Sequence, residues 1–266
     1  MKKVRTLILR TGGTNCDKET AHAFEISGSG ADLVHINTLI RNKSMLDKYH
    51  ILAIPGGFTY GDDIASGKIL ANELKFNLKQ PLTRFISKGK LVIGICNGFQ
   101  VLVKMGFLPN IENKKSIDVE STLSLNDSGK FIDKWVYLKK SLESKCCWTK
   151  TLPEVVYLPI AHAEGKFIPK NKKVLKFLND NKQIVFRYTD RLGKDEEKGF
   201  NPNGSVDHIA GICDHTGRIL GMMPHPERHV SYLQHPNWRR RKKSDKELGI
   251  GLEIFKNGVE YMRNKL

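Results

Sequence analysis

The first half of the chain alternates short apolar runs, most of them ended by Gly or Pro, with longer stretches whose apolar residues recur every three or four positions. The runs predict strands, and the recurring spacing predicts helices that bury one face. Strands are predicted at residues 4–9, 32–36, 50–54 and 91–95. Helices are predicted at residues 17–26 with Asp17 as the cap, at residues 66–88 with a break near Pro81, and at about residues 97–105.

Because strands alternate with helices, this half predicts an α/β fold with a doubly wound, mostly parallel sheet. Residues 50–54 and 91–95 are almost wholly apolar, as expected of strands that are covered on both faces. In the second half, alternation of polar and apolar residues at 117–138 and 154–168 predicts antiparallel additions to that sheet.

The C-terminal part returns to predicted strands and closes on a helix. The strands are residues 183–188, 206–213 and 219–223, with Gly217 in a hairpin between the last two. Apolar residues between Leu248 and Leu266 recur at spacings of four and three, which predicts an amphipathic helix. No internal repeat or low-complexity linker interrupts the chain, so residues 1–266 are predicted to form a single domain.

Composition narrows the class of protein. Hydrophobic residues make up 39% of the 266 positions, and the N-terminus has no apolar leader. No run approaches the roughly 20 apolar residues of a membrane span. The five cysteines form no Cys-x-x-Cys pair and are odd in number, which favours a reducing compartment over a disulfide framework. We therefore expect a cytoplasmic protein without a membrane partner.

The formal net charge of +16 raises the question of nucleic acid. Lysines are spread along the whole chain, however, and the one dense cluster, Arg239–Lys243, has a single aromatic neighbour, Trp238. Single-strand binders use several stacked aromatic rings. The pattern favours solvated surface charge, and no nucleic-acid partner is expected.

Cys96 carries the strongest chemical signal. It lies in Gly-Ile-Cys-Asn-Gly at residues 94–98, directly after an apolar run. The two glycines allow a strained strand-to-helix turn that pushes the thiol outward, and the dipole of the following helix favours the thiolate. This predicts a nucleophile; the alternative is a small buried core cysteine. The other cysteines are expected to be dispensable for the chemistry: Cys16, Cys146, Cys147 and Cys213.

His225 and Glu227 are the candidate partners of that thiol. Pro226 between them favours an extended segment, in which both side chains point the same way. Glu227 would then orient the imidazole, and His225 would take the proton from Cys96. A surface loop is the alternative, but the segment directly follows a predicted strand, at the sheet edge where sites collect. His162 is interpreted as structural, with a place at a pocket rim as the alternative.

Two backbone N–H groups are candidates for an oxyanion hole. Pro-Gly-Gly at residues 55–57 ends a buried strand, so the N–H of Gly57 could face the target of the thiol together with the N–H of Asn97. A plain turn is the alternative. The glycines after the first strand, at 12 and 13, lack the P-loop lysine and the Gly-x-Gly-x-x-Gly pattern, so no nucleotide site is predicted. Metal-ligand spacings are also absent, and no metal is expected.

Together these residues resemble the class I, triad-type glutamine amidotransferases, and within them the glutaminase subunits of phosphoribosylformylglycinamidine synthase. The resemblance covers nearly the whole chain. Its strongest segments are residues 55–63 (PGGFTYGDD), 94–102 (GICNGFQVL) and 222–228 (MMPHPER), with family-specific loops at 126–129 (NDSG), 159–165 (PIAHAEG) and 201–205 (NPNGS). In place of a common Pro before Gly-Thr-Asn-Cys this chain has Thr11-Gly12, and it carries extra residues around 140–154 and 235–247.

The resemblance implies a flavodoxin-like fold and assigns roles to residues. Cys96 is implied to be the nucleophile, with His225 as base and Glu227 as its orienting partner, while Gln100 and Phe58 line the glutamine pocket. Ammonia released from L-glutamine would pass to a large ATP-dependent synthetase subunit that makes formylglycinamidine ribonucleotide in purine biosynthesis. A small accessory subunit is also implied. No cofactor is expected in this chain, because ATP and Mg would bind the synthetase.

Three other functions remain open at this point. The chain could be a glutaminase that feeds another synthetase, or a stand-alone amidase; the loops at residues 60–63 and 201–205 argue against both. It could also be a basic binding or scaffolding protein with a degenerate site, against which the presence of Cys96, His225 and Glu227 counts.

Overall fold

A single mixed sheet of nine strands forms the centre of the molecule. The structure is a computed structural model that describes residues 3–110, 119–196, 199–240 and 248–266. None of the helices in those ranges combines the length and the apolar character that crossing a bilayer requires. The strand order is β2-β1-β3-β4-β11-β10-β9-β6-β7.

The first five strands in that order are parallel, as the alternation of strands and helices predicted. Their bounds are β1 Arg5–Arg10, β2 Gly30–His35, β3 Ile51–Ile54, β4 Leu91–Ile95 and β11 Ile219–Met222. Every residue of β3, β4 and β11 is buried, which is the consequence of helices covering both faces of a parallel sheet.

Four antiparallel strands extend the sheet beyond β11. They are β6 Ile132–Lys140, β7 Val155–His162, β9 Ile184–Thr189 and β10 Ile209–Cys213. The prediction of antiparallel additions is therefore confirmed for β6 and β7. It is wrong for β5 (Ser121–Ser124) and β8 (Lys166–Pro169), which pair only with each other in a separate two-stranded sheet, since local alternation does not specify which strand a segment pairs with. The start of the predicted 117–138 segment, residues 117–118, lies outside the described residues.

Six helices are described, of which two were not predicted. They are α1 Asp17–Ile26, α2 Ile36–Arg41, α3 Lys68–Ser87, α4 Asn97–Met105, α5 Lys172–Asp180 and α6 Leu252–Arg263. The predicted break near Pro81 is wrong, because α3 continues through this proline. Its apolar face stays buried on both sides of Pro81, at Leu78 and Leu82, and this packing offsets the missing hydrogen bond.

The predicted cap of α1 is also wrong by one position. Asp17 is the first helical residue, and it forms an ion pair with Arg10, Oδ2 to Nε, at 3.2 Å. The residue before it, Cys16, occupies the cap position without a side-chain capping bond. This places the Cys16 side chain at the start of α1, in the segment that follows β1, rather than in the interior of a helix.

The extra residues around 140–154 join the core rather than forming an appendage. Trp148 is fully buried, its ring lies at an edge-to-face angle to Phe24 of α1, and a Cβ at Gly258 of α6 would be 2.3 Å from it. That segment thus packs on the same core as the first and last helices. The single domain over 1–266 remains a prediction, which this packing and the continuous sheet support.

The sheet brings four chain segments to one edge. Because β1, β3, β4 and β11 are parallel, the segments that follow their carboxyl ends lie side by side. These segments are residues 11–16, 55–58, 96–98 and 223–229. They contain each of the chemical candidates at 57, 96, 97, 225 and 227.

Candidate active site

Cys96 occupies the sharp turn between β4 and α4. Its backbone angles are φ 50° and ψ −106°, outside the regions that L-residues normally adopt, and such strain costs about 1–3 kcal/mol. The turn packs closely on β3, because a Cβ at Gly98 would be 1.9 Å from the carbonyl oxygen of Ile54. The side chain of Cys96 is buried, and its thiol donates to the carbonyl oxygen of Ala161 at 3.6 Å.

His225 and Glu227 form a buried hydrogen-bonded pair. His225 Nδ1 lies 2.7 Å from Glu227 Oε1, and the two side chains are 2% and 0% exposed. The imidazole donates its Nδ1–H to the carboxylate in this assignment, which leaves Nε2 as an acceptor. Within the described part of the chain, Nε2 has no hydrogen-bond partner. A buried and unengaged ring nitrogen suits the role of a base that takes a proton from a thiol.

The backbone around this pair differs from the extended segment that the sequence predicted. Residues Pro226–Arg228 form a 3-10 turn, and His225 is its extended cap. Proline suits the first position of such a turn, because its φ is already near the helical value and its missing N–H would have had no partner there. The turn still directs the side chains of His225 and Glu227 toward each other.

The surroundings of His225 favour its protonated form. Burial alone lowers the pKa of the imidazole, but Glu227, Cys96 and Cys16 act in the opposite direction, and the net pKa lies well above the ordinary value. Cys96 is thus close enough to His225 to interact with its charge. An imidazole with a raised pKa is a stronger proton acceptor, as a general base requires.

The N–H groups of Gly57 and Asn97 are the predicted donors to a substrate oxygen. Gly57 forms an isolated antiparallel bridge with Thr14 whose hydrogen bonds run through the neighbouring residues, so its own N–H donates to no group in the described ranges. Its φ of +148° and a Cβ position only 2.6 Å from the carbonyl oxygen of Gly13 require glycine here. Asn97 is the first residue of α4, where N–H groups lack a helical partner. Their role as an oxyanion hole remains a prediction.

The two residues expected to line the glutamine pocket differ in availability. Gln100 is buried: its Nε2 donates to the carbonyl oxygen of Glu164 at 2.6 Å, and its Oε1 accepts from Asn97 Nδ2 at 2.9 Å. Contact with a substrate would therefore require one of these bonds to exchange. Phe58 is 44% exposed and packs against Phe131, with ring centroids 6.1 Å apart. Both substrate-binding roles remain predictions.

Three of the segments that carry the family resemblance contact one another beside Cys96. They are residues 126–129, 159–165 and 201–205. Asn126 donates from Nδ2 to the carbonyl oxygen of His162 at 2.8 Å, and its Oδ1 accepts from the N–H of Gly165 at 3.1 Å. Asn203 donates from Nδ2 to the carbonyl oxygen of Gly165 at 2.8 Å. The loops at residues 126–129 and 201–205 therefore hold the 159–165 segment in place, and that segment supplies the carbonyl group that the Cys96 thiol contacts.

His162 is a buried, uncharged member of this framework. Its Nδ1 lies 3.0 Å from Asn126 Oδ1, and burial, followed by the nearby charge of His225, lowers its pKa to about 4. The structural interpretation of His162 agrees with these contacts. Its Nε2 has no partner among the described residues.

The lowered pKa of His162 predicts a pH-dependent stability. Between pH 4 and 6.5 the unfolded chain binds a proton on this side chain that the folded chain does not, so the free energy of unfolding should rise with pH across that window. The two pKa values imply a total of about 3 kcal/mol. Urea unfolding at pH 4.5 and 7.5 should show a smaller difference for His162→Gln than for the unsubstituted chain. An equal difference in both would contradict the assignment.

Cys16 lies against the His225–Glu227 pair, which the sequence did not predict. Its Sγ is 3.9 Å from His225 Nδ1 and 3.2 Å from Arg228 Nη2, and the side chain is buried. The expectation that Cys16 is dispensable for the chemistry remains a prediction. Its position in the segment that connects β1 to α1 was the available signal, because β1 ends at the same edge as β4 and β11.

One group of side chains at this edge has the chemistry of metal ligands. The Sγ of Cys16, a ring nitrogen of His225 and a carboxylate oxygen of Glu227 lie within 4.8 Å of one another, and zinc takes these ligand types. These atoms already bond to one another, and the guanidinium of Arg228, which donates to Cys16, opposes a second positive charge. The arrangement therefore suits proton transfer better than metal binding.

Comparison with known proteins assigns this architecture to a family. Residues 3–262 match the family model of the CobB/CobQ-like glutamine amidotransferase domain. Phosphoribosylformylglycinamidine synthase subunit PurQ of Dehalococcoides mccartyi is 47% identical over 265 residues, which cover 99% of each chain. The subunit of the same name from Methanococcus maripaludis strain S2 is 44% identical over 269 residues, 97% of each chain.

Solved structures agree with this result. A chain in the structure of PurLQS from Thermotoga maritima is 29% identical and superposes with a TM-score of 0.73, covering 98% of this chain and 99% of that one. A glutamine amidotransferase from the same organism is 15% identical, with a TM-score of 0.57 over 98% of this chain and 99% of its own. The second similarity supports the fold alone, and it confirms the predicted class of α/β architecture.

Proposed function

The chain belongs to the family of CobB/CobQ-like glutamine amidotransferase domains, and we propose that it is the glutaminase subunit of a phosphoribosylformylglycinamidine synthase. Two relatives that match it over nearly their full length are named as that subunit. The reaction would be hydrolysis of L-glutamine to glutamate and ammonia, with the ammonia used by a synthetase subunit. The observation that carries the proposal is the buried His225–Glu227 pair, whose free Nε2 lies at the same sheet edge as Cys96.

The first step is attack on the amide. His225 Nε2 accepts the proton of the Cys96 thiol, and Sγ forms a bond to the side-chain carbonyl carbon of glutamine. Glu227 holds the imidazole with Nε2 toward the sulfur and stabilises its positive charge. The imidazolium then returns its proton to the amide nitrogen, the carbon–nitrogen bond breaks, and ammonia leaves a glutamyl thioester.

Water completes the cycle. His225 Nε2 takes a proton from a water molecule, the hydroxide attacks the thioester carbon, and the carbon–sulfur bond breaks to give glutamate and the thiol. Each tetrahedral intermediate carries negative charge on the former carbonyl oxygen. We propose that the N–H groups of Gly57 and Asn97 bind it, and one such donor is worth about 3 kcal/mol in the transition state.

The strained turn at Cys96 prepares this chemistry. Positive φ at a non-glycine residue directs the thiol out of the line of β4, toward the edge where Gly57 and His225 also lie. The position is maintained by close contacts with β3 rather than by the side chain itself. Little reorganisation is then needed when glutamine binds, which is how fixed geometry lowers a barrier.

A synthetase partner would cover this edge. Large apolar side chains are exposed in the segments around it, at Phe58, Ile64, Leu125 and Phe131, and exposed apolar groups of this kind mark contact surfaces. We propose that the large synthetase subunit docks here and that ATP and Mg bind to it. The small accessory subunit and the cytoplasmic location are also part of the proposal. The cluster at Arg239–Lys243 lies partly outside the described residues, since 241–247 are not described.

Comparing glutamine hydrolysis by the chain alone and with its purified synthetase subunit tests the proposal. In this proposal docking of the synthetase aligns the N–H groups of Gly57 and Asn97 on the substrate oxygen. We therefore expect a slow reaction alone and stimulation of about 10²-fold when the synthetase and its ribonucleotide substrate are present, the size of effect that one aligned oxyanion donor has. The stimulated rate should be matched by formation of the amidine ribonucleotide.

Each rival function has its own outcome in that experiment. Full hydrolysis by the chain alone, with no binding of the synthetase, would indicate a stand-alone amidase. If only a different synthetase binds the chain or stimulates it, the chain supplies ammonia to that synthetase instead. If a glutamine-analogue electrophile labels no cysteine even in the presence of the partner, the site is degenerate and the chain is a scaffold.

A further inference from the structure

A row of charged and polar groups runs behind the His225–Glu227 pair. Arg228 donates from Nη2 to the sulfur of Cys16 at 3.2 Å, and its Nε lies 3.5 Å from a carboxylate oxygen of Glu19. Cys16 Sγ in turn lies 3.9 Å from His225 Nδ1. Cys16 thus separates a permanent positive charge from the imidazole.

The guanidinium of Arg228 can compete with His225 for the carboxylate of Glu227. Its Oε1 accepts from His225, but its Oε2 is buried and has no hydrogen-bond partner among the described residues. Glu227 also lies near enough to Arg228 to raise the pKa of the guanidinium. A guanidinium binds a carboxylate more strongly than it binds a thiol sulfur, since two parallel charge-assisted bonds are available to it.

The backbone holds Cys16 in this place. The N–H of Cys16 donates to the carbonyl oxygen of Gly56 at 3.2 Å, so the segments after β1 and β3 are joined directly beside the imidazole. A Cβ at Gly56 would be 2.7 Å from His225 Cε1 and 3.3 Å from Cys16 Sγ. The sulfur is therefore packed closely against the ring and the segment that follows β3.

We propose that Cys16 is a positioning residue for catalysis: its sulfur accepts the hydrogen bond of Arg228 and keeps this guanidinium from pairing with Glu227, whose carboxylate must stay available to His225. The role requires a neutral acceptor of the size of sulfur, buried between the guanidinium of Arg228 and the carboxylate of Glu227. Burial, the largest influence, raises the pKa of the Cys16 thiol, which keeps it uncharged. Cys16 neither attacks substrate nor exchanges a proton in this account.

Removal of the sulfur then has a specific consequence. In Cys16→Ala the guanidinium of Arg228 loses its acceptor and can turn to the free Oε2 of Glu227. The negative charge that faces the imidazolium falls, and so does the pKa of His225. The contact of Cys16 with His225, which itself raises the pKa of the imidazole, is lost as well, whereas Cys96 at the β4 turn and His162 of β7 are unchanged by this substitution.

The test compares three variants in the assembled enzyme, and it rests on the proposed glutaminase function. For Cys16→Ala we expect kcat for glutamine hydrolysis to fall about 10-fold at an unchanged KM, and the acidic limb of kcat/KM to move down by about one pH unit, in line with the loss of one charge interaction. Cys16→Ser retains an acceptor and should keep most of the activity. The double variant Cys16→Ala/Arg228→Gln, which also removes the guanidinium, should recover part of the shift in the pH profile, and the part due to the contact of Cys16 with His225 stays lost.

The double variant separates positioning from packing. If the sulfur only fills space, Cys16→Ser and Cys16→Ala lose activity together and removal of Arg228 restores nothing; that result overturns the proposal. An unchanged pH profile in Cys16→Ala overturns it as well.

A second measurement does not depend on activity. Titration of the His225 ring by NMR in the complete chain should show a lower pKa in Cys16→Ala and partial recovery in the double variant. If the unsubstituted enzyme hydrolyses no glutamine, the glutaminase function fails, while the ring titration still decides the role of Cys16.

Discussion

Cys96→Ala should abolish glutamine hydrolysis and glutamine-dependent synthesis while leaving synthesis from free ammonia intact. The sulfur forms the covalent thioester in the proposed reaction, and Cys96 occupies the strained turn between β4 and α4, at the sheet edge where His225 Nε2 has no hydrogen-bond partner among the described residues. We expect kcat for glutamine to fall by at least about 10³-fold, the scale seen when a nucleophile is removed. The measurement is amidine formation by the assembled enzyme, with glutamine or with ammonium chloride as nitrogen source.

Cys147→Ala is the matched control. Cys147 lies in the 140–154 segment, away from the sheet edge that carries Cys96, and burial raises the pKa of its thiol to about 12, so it is not a nucleophile at neutral pH. Activity with glutamine should survive this substitution. If Cys96→Ala folds, binds the synthetase and yet loses ammonia-dependent synthesis as well, the two subunits do not divide the reaction as proposed.

Gly98→Ala should both destabilise the chain and inactivate it. Ala is the better helix former by about 1 kcal/mol, and Gly98 lies inside α4, so intrinsic propensity alone predicts a gain. The added Cβ would, however, stand 1.9 Å from the carbonyl oxygen of Ile54, a backbone atom of a buried strand that has little room to move. The clash outweighs the propensity, and we expect a loss of about 3 kcal/mol in the free energy of unfolding.

The same clash moves the nucleophile. Relief requires α4 to shift away from β3, and Cys96 at its first turn shifts with it relative to His225. A displacement of about 1 Å costs about 10²-fold in rate. Urea unfolding and glutamine hydrolysis, measured on the same preparation, check both effects. Full activity in Gly98→Ala would show that the turn does not depend on this contact.

Gly12→Ala serves as the control for that substitution. It lies in the neighbouring segment after β1, has no unusual φ, and a Cβ there would meet nothing within 4 Å. Its stability should stay within about 0.5 kcal/mol of the unsubstituted chain. A comparable loss in Gly12→Ala would mean that the edge tolerates no added methyl group, and the specific clash at Gly98 would not be the cause.

The elements nearest to the chemistry are those whose sequence patterns were strongest. β3, β4 and α4 were predicted within a residue because an apolar run ending at Gly or Pro, followed by helical spacing, is a local signal. α5 was missed because it buries only Val174 and Leu178, one turn apart, which is too little periodicity to recognise. The strand pairing of β5 with β8 was missed because alternation reveals a strand but not its neighbour.

Some residues of the candidate site were likewise predicted from local patterns, and others were not. Cys96, His225 and Glu227 were found from residue types and from their places after strands. Cys16 was expected to be dispensable, like the other cysteines apart from Cys96, and Arg228 was seen only as part of a motif. Cys16 and His225 are 209 residues apart, and no property of either segment states that they meet.

Local patterns in the chain were therefore sufficient for the run of strands and helices, the strained turn and the identity of the reacting groups, since each depends on neighbours within a few positions. The order of the strands in the sheet decided which distant segments meet at the candidate site. By placing β1 beside β3, and β11 beside β4, it joined Cys16 to Gly56 and brought both against the imidazole. Contacts of this kind depend on packing between distant segments, which periodicity does not encode.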